Sequence, residues 1–510
     1  MKTKYPILIF LLLAMASCND YLEVGNQRQL SNSSFWQTEK DVQQGLTAAY
    51  AALSSWDGSK WTFFEEVFLG MVIRSDETAN NQSSGYVAKL ASFTNVPDES
   101  TANNLWLTRY AGIARANQVI QHTPDLKSTE LSDDGKRSYV AEAKFLRALN
   151  YFYLVCSFEN IPKVTEYTDD FSKLTPEQVP ASEIWSLIEA DLTEAEQYLP
   201  DTQDEDWSGR ATKWSAKALL GKVYLFQEKW SQAVSKFAEV VNDGPYSLLT
   251  NYSDNFNGAG ENGVESVFEI QFSGNRSNGV DKRQPINWEI TPAAIDGWEL
   301  FYASDWILTE MKKDVTPGGD YSDRVYASLF FDAPASFMRK PTETEEISYE
   351  SVKDNLTFSQ YFKKYNAWTD LQGDYVGTNV SLIRYSDVLL MYAEALNETG
   401  MTSDAVEQIN VVRARSHAVL LDAPDFDQNS LRIQIRHHER PTELSMEYGI
   451  RWLDLYRWNR GKVATESVKE TLTAHGKAFS ENFVEGKHEI NPVPAQERAV
   501  NPSLKQNNGF

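Results

Sequence analysis

Four large aromatic residues fall within a short stretch near the middle of the chain, among polar neighbours. The aromatics are Trp288, Trp298, Tyr302 and Trp306, and the polar neighbours are Asn287, Glu289 and Asp296. Flat rings beside amides and carboxylates suit a ligand with both apolar faces and hydroxyl groups, such as a sugar. Trp298 follows Gly297 at a loop-like position and is the first candidate for stacking, with Trp288 and Tyr302 beside it. The alternative is that these rings fill the core, as most tryptophans do, and we expect this of Trp306.

A second set of candidate binding residues lies nearer the start of the chain, where a charged step precedes a polar loop. Arg74 and Asp76 could hydrogen-bond ligand hydroxyl groups in a fixed geometry. Tyr86 follows the Asn- and Ser-rich loop at residues 80–85. The alternative for Arg74 and Asp76 is a local ion pair that caps a helix.

Three other patterns resemble known sites but lack the context that those sites need. Residues 258–263 spell G-x-G-x-x-G, but a strand-like run follows where a nucleotide-binding loop needs a helix. The adjacent His437 and His438 cannot share a helix face, and no H-E-x-x-H spacing occurs. Four acidic residues at 201–206 could bind calcium, but a solvated loop is the simpler interpretation. We therefore predict no cofactor, no metal and no catalytic residue.

The charge pattern points away from nucleic acid and towards structural ion pairs. The chain has 48 basic and 72 acidic residues and a net charge of −24, so nucleic acid is not an expected partner. Charged residues also recur every four positions near the end of the chain, which predicts one charged face of a single helix. These residues are Glu439, Glu443, Glu447 and Arg451.

The first residues have the pattern of an export signal rather than of a folded element. Lys2 and Lys4 precede an unbroken run of ten apolar residues at 7–16, which is too short to span a bilayer. The small residues before Cys18 are typical of a lipoprotein signal, so we predict cleavage after residue 17 and lipidation of Cys18. The alternative is an ordinary cleaved signal with an incidental cysteine. Cys156, the only other cysteine, lies on an apolar helix face and is predicted to be buried.

Helix pairs are predicted along most of the chain. The clearest unit has the spacing of a tetratricopeptide repeat, with small residues where two helices cross and aromatic residues between them. Its matching positions are Leu220, Gly221, Tyr224, Ala233, Phe237 and Pro245. Weaker units are predicted at 387–416, at 139–158 with 181–198, and at 41–53 with 105–121. Because a helix pair cannot bury its apolar face alone, we expect these units to stack; the alternative is a helical bundle without repeats.

The region between the helix pairs has a different composition. Residues 246–380 are rich in Gly, Pro, Asn, Asp and aromatics, with short strand-like runs such as 267–272. We predict a mainly α protein in which 1–17 is the signal and 18–510 a single domain. Its tetratricopeptide-like scaffold occupies about 35–245 and 381–460, and a C-terminal segment follows at 461–510. The large irregular, partly β insertion at about 246–380 forms the ligand-binding region.

Five stretches of the sequence resemble the SusD/RagB family of outer-membrane nutrient-binding lipoproteins. They are CNDYL at 18–22, AEAKFLRA at 141–148 followed by Tyr151 and Phe152, IRYSDVLLMYAEA at 383–395, the charged run at 439–455 that ends in RWLDL, and NPVP at 491–494 through NPSLKQN at 501–507. These stretches are spread over nearly the whole chain after the signal. None of them is a catalytic motif.

The resemblance implies both a fold and a function. Such a protein is a tetratricopeptide-like scaffold whose irregular region binds an oligosaccharide or polysaccharide on the outer face of the outer membrane, to which its lipid anchors it. It hands the ligand to a SusC-like TonB-dependent transporter without cleaving it. Family members often place a stacking aromatic at the position of Trp298 and polar contacts after the step that contains Asp76. Two alternatives stay open: a protein of this architecture that binds peptides or another nutrient, and a glycoside hydrolase with a carboxylate pair.

Overall fold

The computed structural model describes residues 35–54, 63–80, 85–98, 100–127, 131–168, 170, 175–274, 283–340, 345–366 and 376–510. Eighteen α-helices and ten short strands form within these residues. Cys18 and the predicted signal lie outside them, so lipidation stays a prediction. None of the described helices combines the length and the apolar character that crossing a membrane requires.

The protein is mainly α, as predicted. The helices before the insertion are α1 (Glu39–Ala51), α2 (Gly85–Ala91), α3 (Ser100–His122), α4 (Asp133–Phe158), α5 (Ala181–Tyr198), α6 (Lys213–Phe226) and α7 (Trp230–Asp243). Those within it are α8 (Ile286–Ile290), α9 (Asp305–Met311), α10 (Asp323–Ser328) and α11 (Tyr349–Val352). Those after it are α12 (Tyr385–Glu398), α13 (Thr402–Arg415), α14 (Gln428–Gln434), α15 (Arg440–Leu444), α16 (Ile450–Arg460), α17 (Val468–Ala474) and α18 (Ala495–Val500).

The long helices pack on one another in chain order. Each helix in the series α1, α3, α4, α5, α6 and α7 contacts the next one. α7 then contacts α12, and α12 contacts α13. α7 and α12 therefore contact each other directly, although about 140 residues separate them in the chain. This order agrees with the stacked helix pairs that the repeat spacing predicts. Cys156 lies buried on α4, and burial raises the pKa of its thiol.

The α6–α7 pair shows how the sequence produces this packing. α6 begins with a capping box, in which Thr212 and Ser215 each accept a hydrogen bond from the other's backbone N–H. A Cβ atom added at Gly221 would lie 2.7 Å from the ring of Phe237 on α7. The two helices therefore approach closely only because position 221 has no side chain.

Short strands tie the insertion to the scaffold. The strands are β1 (Thr78–Asn80), β2 (Ile161–Pro162), β3 (Gln178–Val179), β4 (Ser266–Ile270), β5 (Phe301–Ala303), β6 (Leu329–Phe331), β7 (Phe337–Arg339), β8 (Glu346–Ser348), β9 (Gln360–Phe362) and β10 (Val380–Arg384). They form antiparallel pairs: β1 with β5, β2 with β3, β4 with β10, β6 with β9 and β7 with β8. Because β1 follows α1 in the first part of the chain and β5 lies in the segment 246–380, their pairing fixes that segment against the start of the fold.

The single charged helix face predicted at 439–451 is wrong, because the chain leaves the helix between those residues. α15 ends at Leu444 and α16 begins at Ile450, with three positive φ angles between them at Met446, Tyr448 and Gly449. The charged side chains pair instead with distant elements. The pairs are Glu439 with Arg324 and Arg413, Glu443 with Arg384 and Arg415, Glu447 with Arg384 and Lys364, and Arg451 with Asp76. Their role is structural, as expected, but it joins separate parts of the fold.

Candidate functional site

Trp298 lies in a loop that folds back on helix α8. The loop, residues 291–299, is called the Trp298 loop below. The Trp298 N–H donates to the carbonyl of Trp288 at 2.9 Å, and the Leu300 N–H donates to that of Glu289 at 2.8 Å. These hydrogen bonds hold the backbones of the two tryptophans side by side, although ten positions separate them in the sequence.

Gly297 allows the loop to close. An added Cβ atom there would lie 2.0 Å from the carbonyl oxygen of Thr291, which is far inside the contact distance of the two atoms. The residue before it, Asp296, has a left-handed φ of 70°, a conformation that Asp adopts more readily than most residues. The prediction that Gly297 marks a loop is confirmed, and the loop depends on its missing side chain.

The two tryptophan rings form an open corner. Their centroids are 6.4 Å apart and their planes meet at 63°, an edge-to-face arrangement. Trp288 is half-buried, whereas 50% of Trp298 is exposed to solvent. Trp298 is therefore not a core residue, and its position suits stacking on a ligand.

Tyr302 lies on β5 and has a different environment. Its ring stacks on Phe358 with centroids 3.5 Å apart and planes 14° apart. Both rings pack on a small buried cluster of Ile295, Phe330, Met338, Tyr349 and Tyr361. Ile295 belongs to the Trp298 loop, so this cluster anchors the loop. Phe358 covers one face of Tyr302, which leaves only the opposite face for a ligand.

The polar rim predicted from Asn287 and Glu289 is wrong, because both side chains are buried. Their exposed fractions are 0% and 1%. Burial raises the pKa of Glu289 to about 8, so this carboxyl group is largely protonated at neutral pH. Asp296 is the exposed member of the predicted set, and its carboxylate lies 3.7 Å from Lys340 Nζ.

Arg74 and Asp76 do not lie at the surface either, and the prediction that they contact ligand is corrected. Both are buried in the fold. Arg74 Nη1 donates to Asn491 Oδ1 at 3.1 Å, and its guanidinium lies over the Trp452 ring. Asp76 accepts two hydrogen bonds from Arg451. The ion pair of Asp76 with Arg451 is therefore structural, but it joins distant parts of the chain instead of capping a local helix.

The two remaining aromatics of the predicted sets differ in how far the structure describes them. Trp306, expected in the core, packs against the main core and stacks on His475 with centroids 4.0 Å apart. Tyr86 falls within α2, but its side chain lies outside the described part of the chain, as do residues 81–84 of the polar loop. A role for Tyr86 in ligand binding stays a prediction.

The patterns set aside in the sequence have structural roles. Residues 258–263 form turns, and strand β4 follows them rather than a helix. His437 lies 3.1 Å from Glu466, whereas His438 lies 2.8 Å from Glu310, so the adjacent histidines face different partners. Asp204, Glu205 and Asp206 are exposed, as expected of a solvated loop.

Sequence reasoning missed a cleft beside the Trp298 loop. Asn366 forms its junction with the loop: its Oδ1 accepts from the Arg339 N–H at 2.8 Å, and its Nδ2 donates to Thr291 Oγ1 at 3.3 Å. The neighbouring basic residues Lys363 and Lys364 were a visible signal in so acidic a chain. The partner of Lys364, Glu447, lies far away in the sequence.

Two family profiles match successive parts of the chain. The profile described as "SusD family" matches residues 264–510, and that described as "Starch-binding associating with outer membrane" matches residues 20–225. A curated relative, SusD-like protein P2 of Formosa agariphila, is 27% identical over 99% of this chain and 99% of its own length.

Solved structures share the fold. A SusD superfamily protein from Bacteroides vulgatus superposes with a TM-score of 0.81, at 24% identity, over 93% of this chain and all of its own. A structure named "Laminarin binding SusD-like protein" superposes with a TM-score of 0.72, at 26% identity, over 93% of this chain and all of its own.

Proposed function

The chain belongs to the SusD family, and from this premise we propose that it binds an oligosaccharide or polysaccharide at the cell surface. The observation that carries the proposal is the corner formed by Trp288 and the half-exposed Trp298 on a loop that requires Gly297. A loop closed around a glycine holds the rings before any ligand arrives, which lowers the entropic cost of binding.

The exposed surface of Trp298 is large enough for stacking to contribute substantially to the free energy of binding a sugar. A tryptophan side chain buries roughly 150–250 Å² in all, and half of this one is exposed. Covering roughly 100 Å² of that surface with the C–H face of a sugar contributes about 2–3 kcal/mol. Trp288 adds a second aromatic surface at 63° to the first. This arrangement suits a glycan chain that bends more than one that is flat.

Relatives support the ligand class. The structure named as laminarin-binding is 26% identical to this chain over nearly its whole length. The profile matching the first half of the chain carries a starch-binding description and an association with the outer membrane. Binding of glycans in a fold of this kind therefore has precedent.

We propose further that the protein is a lipoprotein anchored at Cys18, faces the cell exterior and delivers its ligand to a SusC-like TonB-dependent transporter. The signal pattern at 1–18 supports the anchor. Diacylation together with a third chain makes such an anchor stable, whereas one acyl chain is marginal. The family resemblance supports the transporter.

Within this proposal the protein is not an enzyme. A glycoside hydrolase needs a carboxyl group with a raised pKa beside the scissile bond. Among the carboxyl groups beside the tryptophan corner, Glu289 has a raised pKa, but it is 1% exposed, so the fold would have to open before Glu289 met a substrate. Binding of a peptide or another nutrient by the same corner is the alternative that the test below separates.

The test uses the protein starting after Cys18 on a glycan array and a peptide panel, followed by calorimetry and an assay for released reducing ends. Trp298→Ala should lose binding at least tenfold with an unchanged circular dichroism spectrum, and Trp298→Phe should retain part of it. Trp207→Ala, in the loop between α5 and α6, is the matched control and should bind like the wild type. Glycan binding that survives Trp298→Ala, or release of reducing ends, would overturn the proposal.

A further inference from the structure

The cleft beside the Trp298 loop is large enough for a ligand of its own. Its volume is about 600 Å³, within the range of roughly 300–1,000 Å³ that is usual for ligand sites. Its walls are the segment 253–259, helix α10, strands β7 and β8, and residues 363–366, which follow β9. Asn366, which lines the cleft, also bonds Thr291 at the base of the Trp298 loop, so the two sites adjoin.

Lys363 provides the cleft with a positive charge. Its side chain is half-buried, and no carboxylate of the described residues lies within ion-pair distance of its Nζ. Burial lowers the pKa of Lys363, and nearby Arg339 lowers it further against the opposing effect of Glu346. The neighbouring Lys364 differs, because its Nζ bonds Glu447 at 2.7 Å and is already paired.

Arg339 brings a second charge that can change partners. Its guanidinium lies 3.9 Å from Glu346, and both side chains are about half exposed. An exposed ion pair of this kind contributes little to the stability of the fold. The other carboxylate of the cleft, Asp323, is engaged by His417 at 2.8 Å. An anion that enters the cleft can therefore bind Arg339 without breaking a strong contact.

The cleft also has the features that recognise a sugar ring. The half-buried ring of Tyr326 is held by Phe331, with planes 24° apart. Asn257 also lines the cleft, where its Oδ1 accepts from the Ala259 N–H at 2.9 Å and its Nδ2 donates to Asp254 at 3.0 Å. An aromatic wall and two cations within one cleft match a sugar that carries an acidic group.

We propose that this cleft binds an anionic sugar unit, with its carboxylate or sulfate group at Lys363 and Arg339 and its ring against Tyr326. The inference rests on the proposed function and deepens it: the ligand is an acidic glycan that reaches from the cleft to Trp298. The net charge of −24 disfavours a polyanion over most of the surface. That background makes the cleft a selective entry point for one acidic unit.

The experiment compares acidic glycans with their neutral counterparts. The probes are oligosaccharides that carry one uronate unit, with their carboxyl-reduced forms, oligosaccharides that carry one sulfate group, with their desulfated forms, and an array of other uronate-containing and sulfated glycans. Wild-type protein should bind an acidic probe at least tenfold more tightly than its neutral counterpart, and added salt should weaken that preference. Whether reduction or desulfation removes the affinity identifies the acidic group as carboxylate or sulfate.

Variants separate this inference from the proposed function. Lys363→Gln and Arg339→Gln should each cost the acidic probe at least fivefold and leave its neutral counterpart unchanged, whereas Trp298→Ala should weaken both. Lys353→Gln is the matched control, since Lys353 is an exposed lysine paired with Glu350 outside the cleft. Equal binding of acidic and neutral glycans, or full affinity in both cleft variants, overturns the inference while glycan binding through Trp298 stands. If the wild-type protein bound none of the glycans, acidic or neutral, the proposed function itself would be overturned.

Discussion

Arg451 and Asp76 form a bidentate ion pair between residues 375 positions apart in the sequence. Arg451 Nε donates to Asp76 Oδ1 at 2.8 Å, and Nη2 donates to Oδ2 at 2.6 Å. Both side chains are buried, and His475 lies 2.7 Å from the same carboxylate. The pair joins the segment that leads into β1 to the start of α16, so it closes the fold between its first and last parts.

Asp76→Asn should therefore destabilise the protein rather than its ligand complex. Removing one partner of a buried pair leaves Arg451 charged without a carboxylate, which costs about 3–5 kcal/mol. Urea unfolding followed by tryptophan fluorescence measures the loss. The glycan affinity of the folded variant should match that of the wild type.

The opposite result would restore Asp76 as a binding residue. Normal stability with at least tenfold weaker glycan binding would show that its carboxylate reaches the ligand. Lys353→Gln, which removes only an exposed ion pair, is the control and should change stability by less than about 0.5 kcal/mol.

Gly297→Ala should disturb the site while the fold remains. The new methyl group would lie 2.0 Å from the Thr291 carbonyl oxygen, so the Trp298 loop must open and the corner of the two tryptophans must change. We expect glycan affinity to fall at least tenfold in calorimetry, with little change in helical circular dichroism. Gly318→Ala is the matched control, since its nearest neighbour would be 3.6 Å away; equal affinities in the two variants would contradict the role of Gly297.

Glu289 should make stability depend on pH near neutrality. Its pKa in the fold, about 8, is raised from the usual 4.5 by burial. Because the folded state holds the proton more tightly than the unfolded state, this contribution is complete below about pH 4.5 and is lost as the pH rises towards 8. Glu289→Gln removes this pH dependence. The free energy of unfolding of the variant, relative to that of the wild type, should therefore increase between pH 5 and 7.5, by up to about 3 kcal/mol.

The measurement is urea unfolding of both proteins at pH 5, 6, 7 and 7.5. The comparison between the two proteins is essential, because Glu77 also has its pKa raised to about 8 by burial and by the neighbouring Asp76 and contributes in the same range in each. A difference between wild type and Glu289→Gln that stays constant with pH would show that Glu289 titrates normally.

The features that the sequence predicted well are local ones. The α6–α7 pair follows from a repeat spacing in which Gly221 and Phe237 already identify the crossing, and the structure places the two in contact. Gly297 before Trp298 predicted an exposed tryptophan in a loop, and the helical run after Trp306 predicted a tryptophan that packs against the core. The structure has both. In each case the deciding information lies within about 20 residues.

The errors concern partners that are distant in sequence. Arg74 and Asp76 looked like surface groups because Asn491 and Arg451, which bury them, lie near the other end of the chain. The charged run that includes Glu443 looked like one helix face because the positive φ angles that break it leave little trace in residue types. Lys363 and Lys364 alone could not locate the cleft, because its walls come from segments that are distant in the sequence.

Gly221→Ala tests whether the helix stack depends on close approach at this crossing. The added methyl group would meet the Phe237 ring at 2.7 Å, and Phe237 is fully buried, so the ring cannot swing into solvent. Overpacking of this kind costs about 1–3 kcal/mol, more than the roughly 1 kcal/mol that alanine gains over glycine in a helix. We therefore expect net destabilisation in thermal and urea unfolding, whereas Gly221→Ala combined with Phe237→Leu should recover part of the loss because the smaller side chain makes room. A more stable single variant would mean that α6 and α7 have space to separate and that the crossing does not hold the stack together.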